Sequence, residues 1–299
     1  MFSYPKLKNL ERGVALAIVS MILIALHNAA LAAEQSSGGK HFLWRVTSAQ
    51  APFYLLGSYH ALRGSDYPLG AEIDRAIHDS KRFLFEFNPN MPFEVWSKKL
   101  KDVALYPNGV TIKQKVRPET YAYIKKVAKM RESEYDSIKP WAIAMFLGQH
   151  PLFHSVSGYK GVESYVMKKA GGFSEIGGLE TVDEHIAVLA TMSDIEGEVM
   201  LLQTMVYADT GMTRFSTGVA AWKRGDLQGV LNSEAVQEKE APFLTLRMID
   251  RRNRNWIPKI EAAMKSDKPT MVVVGCRHLC GPNNVIALLQ KRGYKLEQL

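Results

Sequence analysis

The chain has 299 residues, 46% of them apolar, and a formal net charge of +8. Two cysteines are too few for a disulfide framework. The 38 basic side chains are interleaved with 30 acidic ones and form no run of five, which argues against a nucleic-acid-binding arm.

In chain order, Lys6, Lys8 and Arg12 precede an apolar run, Val14–Leu26, and then Ala30-Leu31-Ala32. Basic, apolar and small-residue segments in that order predict a signal peptide over residues 1–32, cut after Ala32. An uncleaved anchor is the alternative, but the run is short for a span of about 20 apolar residues. Cleavage leaves 267 residues with a net charge of +6 and no later transmembrane candidate, so the expected location is periplasmic or secreted. Residues 33–40 (AEQSSGGK) read as a flexible leader, and 41–299 as a single domain.

Within that domain, His41–Ser48 and Phe53–Ser58 are strand-like and predict a hairpin. Helical spacing over Gly70–Ser80 precedes a strand, Arg82–Phe87. A large helical insertion follows, with periodic segments at Phe93–Leu105, Pro118–Arg131, Trp141–Gln149 and Val162–Ala170. Ser174–Leu179 is a short strand candidate, and the pairs Thr181/Glu184 and Ser193/Glu196 have capping-box spacing. Pro242–Lys265 reads as a helix, Thr270–Val274 as a β-branched strand, Asn283–Lys291 as a helix opened by Pro282, and Tyr294–Leu299 as a last strand. The fold class is α/β: a mixed central sheet with flanking helices.

The polar residues fall where chemistry is expected. Leu55-Leu56 runs into Gly57-Ser58-Tyr59-His60, and Val273-Val274 into Gly275-Cys276-Arg277-His278. Each is a strand, a glycine that permits a sharp exit, and a histidine three residues on. The two ends are expected to meet at one edge of the sheet, where ligands bind beyond the carboxyl ends of strands. Glu86 sits in an apolar strand, where a carboxylate costs free energy unless paired, protonated or metal-bound. Glu180 follows a strand and precedes a capped helix, where it also favours the helix dipole. Ser58 beside His60 leaves a nucleophilic serine open. His41, His78 and His185 read as surface or helix-face residues, and Tyr59 and Arg277 are placed to shape the cleft.

The two Gly-x-x-His motifs, the strand-borne Glu86, the segment GLET (Gly178–Thr181), the pair Arg252-Asn253 and the ending GCRHLCGPNNVIALLQKRGYKLEQL resemble the TraB/GumN family. This family includes the Tiki metalloproteases and is related to the erythromycin esterase/ChaN-like superfamily. The resemblance spans about His41 to Leu299. It implies a metal-dependent hydrolase, in particular a peptidase acting on a protein or peptide, with His60, His278 and Glu86 holding a divalent ion (Mn, Co or Zn). Glu86, Glu180, Arg252 and Asn253 are then the catalytic candidates. Arg252 would stabilise an oxyanion. A metal-free His–Glu hydrolase is the variant suggested by the esterase relatives. The alternatives outside catalysis are a metal-, haem- or small-ligand-binding protein and an accessory factor in surface polysaccharide assembly. Cys276 and Cys280 depart from the family's small or aliphatic residues; soft metal ligation, a local disulfide and simple packing are all open. Glu163 stands where the family more often has Asp.

Overall fold

The computed structural model describes residues 39–127, 131–154, 161–172, 174–208 and 210–299. The predicted signal peptide, and the leader up to residue 38, lie outside the described residues. No described helix is long and apolar enough to cross a membrane.

Among the described residues one sheet contains β1 (Leu43–Val46), β2 (Phe53–Ser58), β3 (Arg82–Phe87), β4 (Glu175–Glu180), β5 (Thr270–Gly275) and β6 (Leu296–Gln298), in the order β4-β3-β5-β2-β1-β6. The four strands β2, β5, β3 and β4 run parallel, while β1 is antiparallel to both β2 and β6. The predicted hairpin is therefore present, with Trp44 opposite Leu55. Parallel strands covered on both faces need near-continuous apolar sequence. That explains why FYLLGS is buried throughout and TMVVVG nearly so. The β2–β5 register pairs Leu56 with Val273, Gly57 with Val274 and Ser58 with Gly275, which brings the two Gly-x-x-His ends side by side at the carboxyl edge. β3 and β4 deliver Glu86 and Glu180 to that same edge.

Helices cover the sheet: α1 (Ala71–Asp79), α2 (Phe93–Ala104), α3 (Pro118–Val127), α4 (Pro140–His154), α5 (Val162–Ala170), α6 (Val182–Ala190), α7 (Asp194–Val206), α8 (Gly211–Lys223), α9 (Leu227–Glu240), α10 (Arg251–Met264) and α11 (Val285–Gln290). The main core joins both sheet faces to residues such as Trp222, Trp256, Ile257 and Leu289. The insertion from α2 to α5 has a core of its own, in which Ile112, Ile124, Tyr135 and Ile143 pack with Leu201 and Met205 of α7. Both capping boxes form: Thr181 N–H donates to Glu184 at 2.7 Å and Glu184 N–H to Thr181 Oγ1 at 3.1 Å, and Ser193 and Glu196 pair likewise.

Four elements differ from the sequence expectation. The Pro242–Lys265 helix is a single turn (Pro242–Thr245), a π segment (Leu246–Asp250) and then α10. Pro282 does not open the next helix; Asn284 caps α11 by accepting from Ala287 N–H at 2.8 Å. The helices α8 and α9 were not expected, because Gly211, Gly218 and Gly229 interrupt their pattern.

Candidate functional site

Four strand ends and the start of α10 supply the site. Glu86 Oε1 accepts the Gly275 N–H at 2.8 Å, which ties β3 to the end of β5. Glu86 Oε2 accepts from Arg252 Nη2 at 2.6 Å. The same Nη2 donates to Glu180 Oε1 at 2.6 Å, and Arg252 Nε donates to Glu180 Oε2 at 3.2 Å. Arg252 Nη1 donates to Met248 O at 3.2 Å and faces His278 Nε2 at 3.3 Å. A guanidinium has five N–H donors. All five of Arg252 are accounted for, so it clamps two carboxylates rather than presenting a free donor to an oxyanion. Its face lies over Trp256 at 4.7 Å, and Trp256 Nε1 donates to Glu180 Oε2 at 3.0 Å.

The local sequence explains this placement. Arg252, Asn253 and Trp256 share the buried face of α10, at 6%, 0% and 0% exposure. The π segment before them is the kind of widened turn often found beside functional sites. It also supplies Met248, whose carbonyl Arg252 engages. Asn253 sits behind His278: its Oδ1 accepts from His278 Nδ1 at 2.6 Å while its Nδ2 donates to Asn283 O at 2.9 Å. His278 therefore carries its proton on Nδ1 and turns the Nε2 lone pair towards Arg252 and Glu86 Oε1, the latter 3.7 Å away. Burial drives this imidazole down to about 3, so it is neutral.

His60 is the exposed member, with 75% of its side chain accessible. Its Nδ1 donates to Glu163 Oε1 at 2.8 Å, and the same oxygen accepts from Ser58 Oγ at 2.6 Å. That hydrogen bond and the Glu163 charge raise His60 to about 9. Ser58 is 2% exposed, so the nucleophilic-serine reading fails on access. Burial opposes ionisation of Glu86, yet the Arg252 guanidinium and the Gly275 amide hold its carboxyl well below the usual range. Burial likewise opposes ionisation of Glu180, and hydrogen bonds from His185 and Arg252 outweigh it.

A cavity of about 320 Å³ opens on this edge, lined by His60, Glu86, Phe87, Glu163 and His185 among others. A Cβ added to Gly275 would sit 3.2 Å from Glu86 Oε1, 3.6 Å from His278 Cδ2 and 3.9 Å from His60 Nε2. The missing side chain thus leaves a cradle on which the predicted ligands converge. The donors are imidazole nitrogen and carboxylate oxygen, and both histidines have Nδ1 fixed by an acceptor, as in metal sites. Donors of this kind suit a divalent ion, which His278 Nε2 would bind in place of its Arg252 contact and His60 on losing its second proton. Among the described residues, the grouping of three whose ligand atoms all lie within 4.8 Å of one another is Glu86, Glu180 and His185; His60, Glu86 and His278 are spaced more widely. Arg252 is paired with Glu86 and Glu180, while Glu163 is paired with His60.

The model of the TraB/PrgY/gumN family matches residues 42–298. The chain belongs to this family. Comparison with curated proteins and with solved structures finds no match. Within the TraB/PrgY/gumN frame, the structure brings together His60, Glu86, Glu180, Arg252, Asn253 and His278, with Asn253 behind the cleft rather than in it. Glu163 was noted only as a position where the family more often has Asp, and His185 was read as a surface or helix-face residue; the structure places both on the cavity wall. His185 is half-buried, donates from Nδ1 to Glu180 Oε1 at 2.6 Å and packs on Phe87 with ring centroids 4.6 Å apart. Tyr59 and Arg277 do not line the cleft. Tyr59 packs edge-on against Phe215 and Trp222, and Arg277 pairs with Glu238 at 2.7 Å beside a separate cavity of about 270 Å³. Cys276 and Cys280 are buried in the main core, where Cys280 Sγ donates to Cys276 O at 3.1 Å.

Proposed function

We propose that the chain is an exported metal-dependent hydrolase acting on peptides, with its centre at the carboxyl edge of β2, β5, β3 and β4. The observation that carries this reading is the cradle at Gly275, where Glu86, His60 and His278 converge beside a cavity of about 320 Å³. His60, Glu86 and His278 would hold the ion. A divalent ion bound there supplies Lewis acidity, lowering the pKa of water and polarising a carbonyl. Arg252 holds Glu86 and Glu180 ionised and fixed in place. Glu180 in turn binds Nδ1 of His185, a His–Glu pair on the cavity wall suited to passing a proton to the leaving group. Phe85 and Phe87 give the cavity an apolar wall.

The full commitment of Arg252 favours one alternative. It already neutralises part of the charge between Glu86 and Glu180, so the His–Glu pairs could activate water without a metal. Digestion of an unfolded protein substrate with added Mn, Co or Zn separates the two. Cleavage that needs the ion and disappears in Glu86→Gln supports the metal reading; cleavage indifferent to chelation supports the metal-free one. N-terminal sequencing of the exported protein tests the Ala32 cut.

A further inference from the structure

Glu163 is where the helical insertion rejoins the sheet. It lies in the first turn of α5, just after Gly161. A Cβ at Gly161 would fall 2.5 Å from the His60 carbonyl oxygen, so only glycine lets this backbone approach so closely. Val162 N–H donates to Tyr59 O at 2.9 Å and locks the two segments together. The first turn of α5 is thereby pressed against the β2 strand end, with Glu163 beside Ser58 and His60.

Every polar link of the His60 ring that the structure shows ends on Glu163. The ring is otherwise exposed, and an exposed imidazole without a tether samples several rotamers. Ser58, buried below, fixes Glu163 by donating to the same oxygen. We propose that Glu163 is a positioning residue: by accepting the His60 Nδ1–H it aims His60 Nε2 at the Gly275 cradle and so sets the affinity of that cradle for a divalent ion. The insertion is then part of the site, since α5 completes what β2 begins. The proposal rests on the metal reading given above.

The test compares Glu163→Gln with Glu163→Ala in the full chain, using Mn²⁺ titration and crystal structures. Glutamine keeps a carbonyl oxygen able to accept from Nδ1–H; alanine does not. Positioning predicts that Glu163→Ala loses about ten- to a hundredfold in Mn²⁺ affinity. Its His60 ring should also turn away from Gly275, while Glu163→Gln stays near the parent in both respects. Equal damage from Gln and Ala would overturn the proposal, because Glu163 would then act through its charge or as a ligand. An unmoved ring in the alanine variant would also overturn it. Should the parent bind no divalent ion, the metal reading fails by itself, and the ring orientation still decides whether Glu163 aims His60.

Discussion

Arg252 Nη2 lies 2.6 Å from Glu86 Oε2, joining the start of α10 to the end of β3 across 166 residues of sequence. Both side chains are nearly sealed from solvent, at 8% and 14% exposure. The same nitrogen engages Glu180, so one cation balances two buried carboxylates and the three elements α10, β3 and β4 are held as a unit.

Removing that cation strands two carboxylates. Breaking a buried ion pair from one side costs about 3–5 kcal/mol. In a domain of this size that lowers the melting temperature by on the order of 10 °C. Arg252→Met should show this fall in thermal unfolding, and added divalent ions should recover part of it. A variant as stable as the parent would mean that the clamp contributes little.

Gly275→Ala tests the cradle. The backbone there accepts alanine, with φ at −50°. The new methyl, however, would press on Glu86 Oε1 at 3.2 Å. Overpacking of this kind costs about 1–3 kcal/mol. Ion affinity should fall about tenfold or more, as when the surroundings of metal ligands are disturbed. Unchanged affinity with unchanged stability would show that the space is not used.

A pH-dependent contribution is expected far from the site, at Glu198. This residue of α7 is buried and accepts from Thr120 Oγ1 at 2.5 Å, Arg117 Nε at 3.0 Å and Arg117 N–H at 3.1 Å. Burial raises its pKa, but these bonds prevail and the net direction is down. A carboxyl lowered in the folded state stabilises it above the unfolded value of about 4.3, and that gain is lost as pH falls through the folded value. Glu198→Gln should therefore be less stable than the parent at neutral pH and converge on it in acid. Parallel melting curves from pH 7 down to pH 3 would contradict the assignment.

Both cysteines are buried, at 5% and 3% exposure, and Cys280 Sγ donates to Cys276 O at 3.1 Å. A disulfide reagent should label neither at a useful rate in the native protein and both after denaturation. Absence of free thiol in the denatured protein would instead mean that they pair.

Much of this arrangement was legible in the sequence. Parallel strands buried on both faces leave apolar runs, which marked β2 and β5, and the glycine after each run marked the chain exit that carries a histidine. Glu86 stood out because a carboxylate amid phenylalanines needs a partner. Glu163 and His185 were not legible, since what makes them matter is the distance to His60 and to Glu180, set by the packing of α5 and α6 on the sheet. The π segment was hidden as well: Leu246–Asp250 has ordinary helical composition, and its widened turn is a backbone property. The role expected of Arg252 changed for a countable reason, because each of its N–H groups already has an acceptor.

The most direct test of the central claim is the divalent-ion stoichiometry of the purified protein beside His60→Ala and His278→Ala, after reconstitution with Mn, Co or Zn and removal of loosely held ion. The account predicts close to one ion per chain in the parent and its loss in both variants. No ion in the parent under any of these conditions, or full retention in both variants, would contradict it.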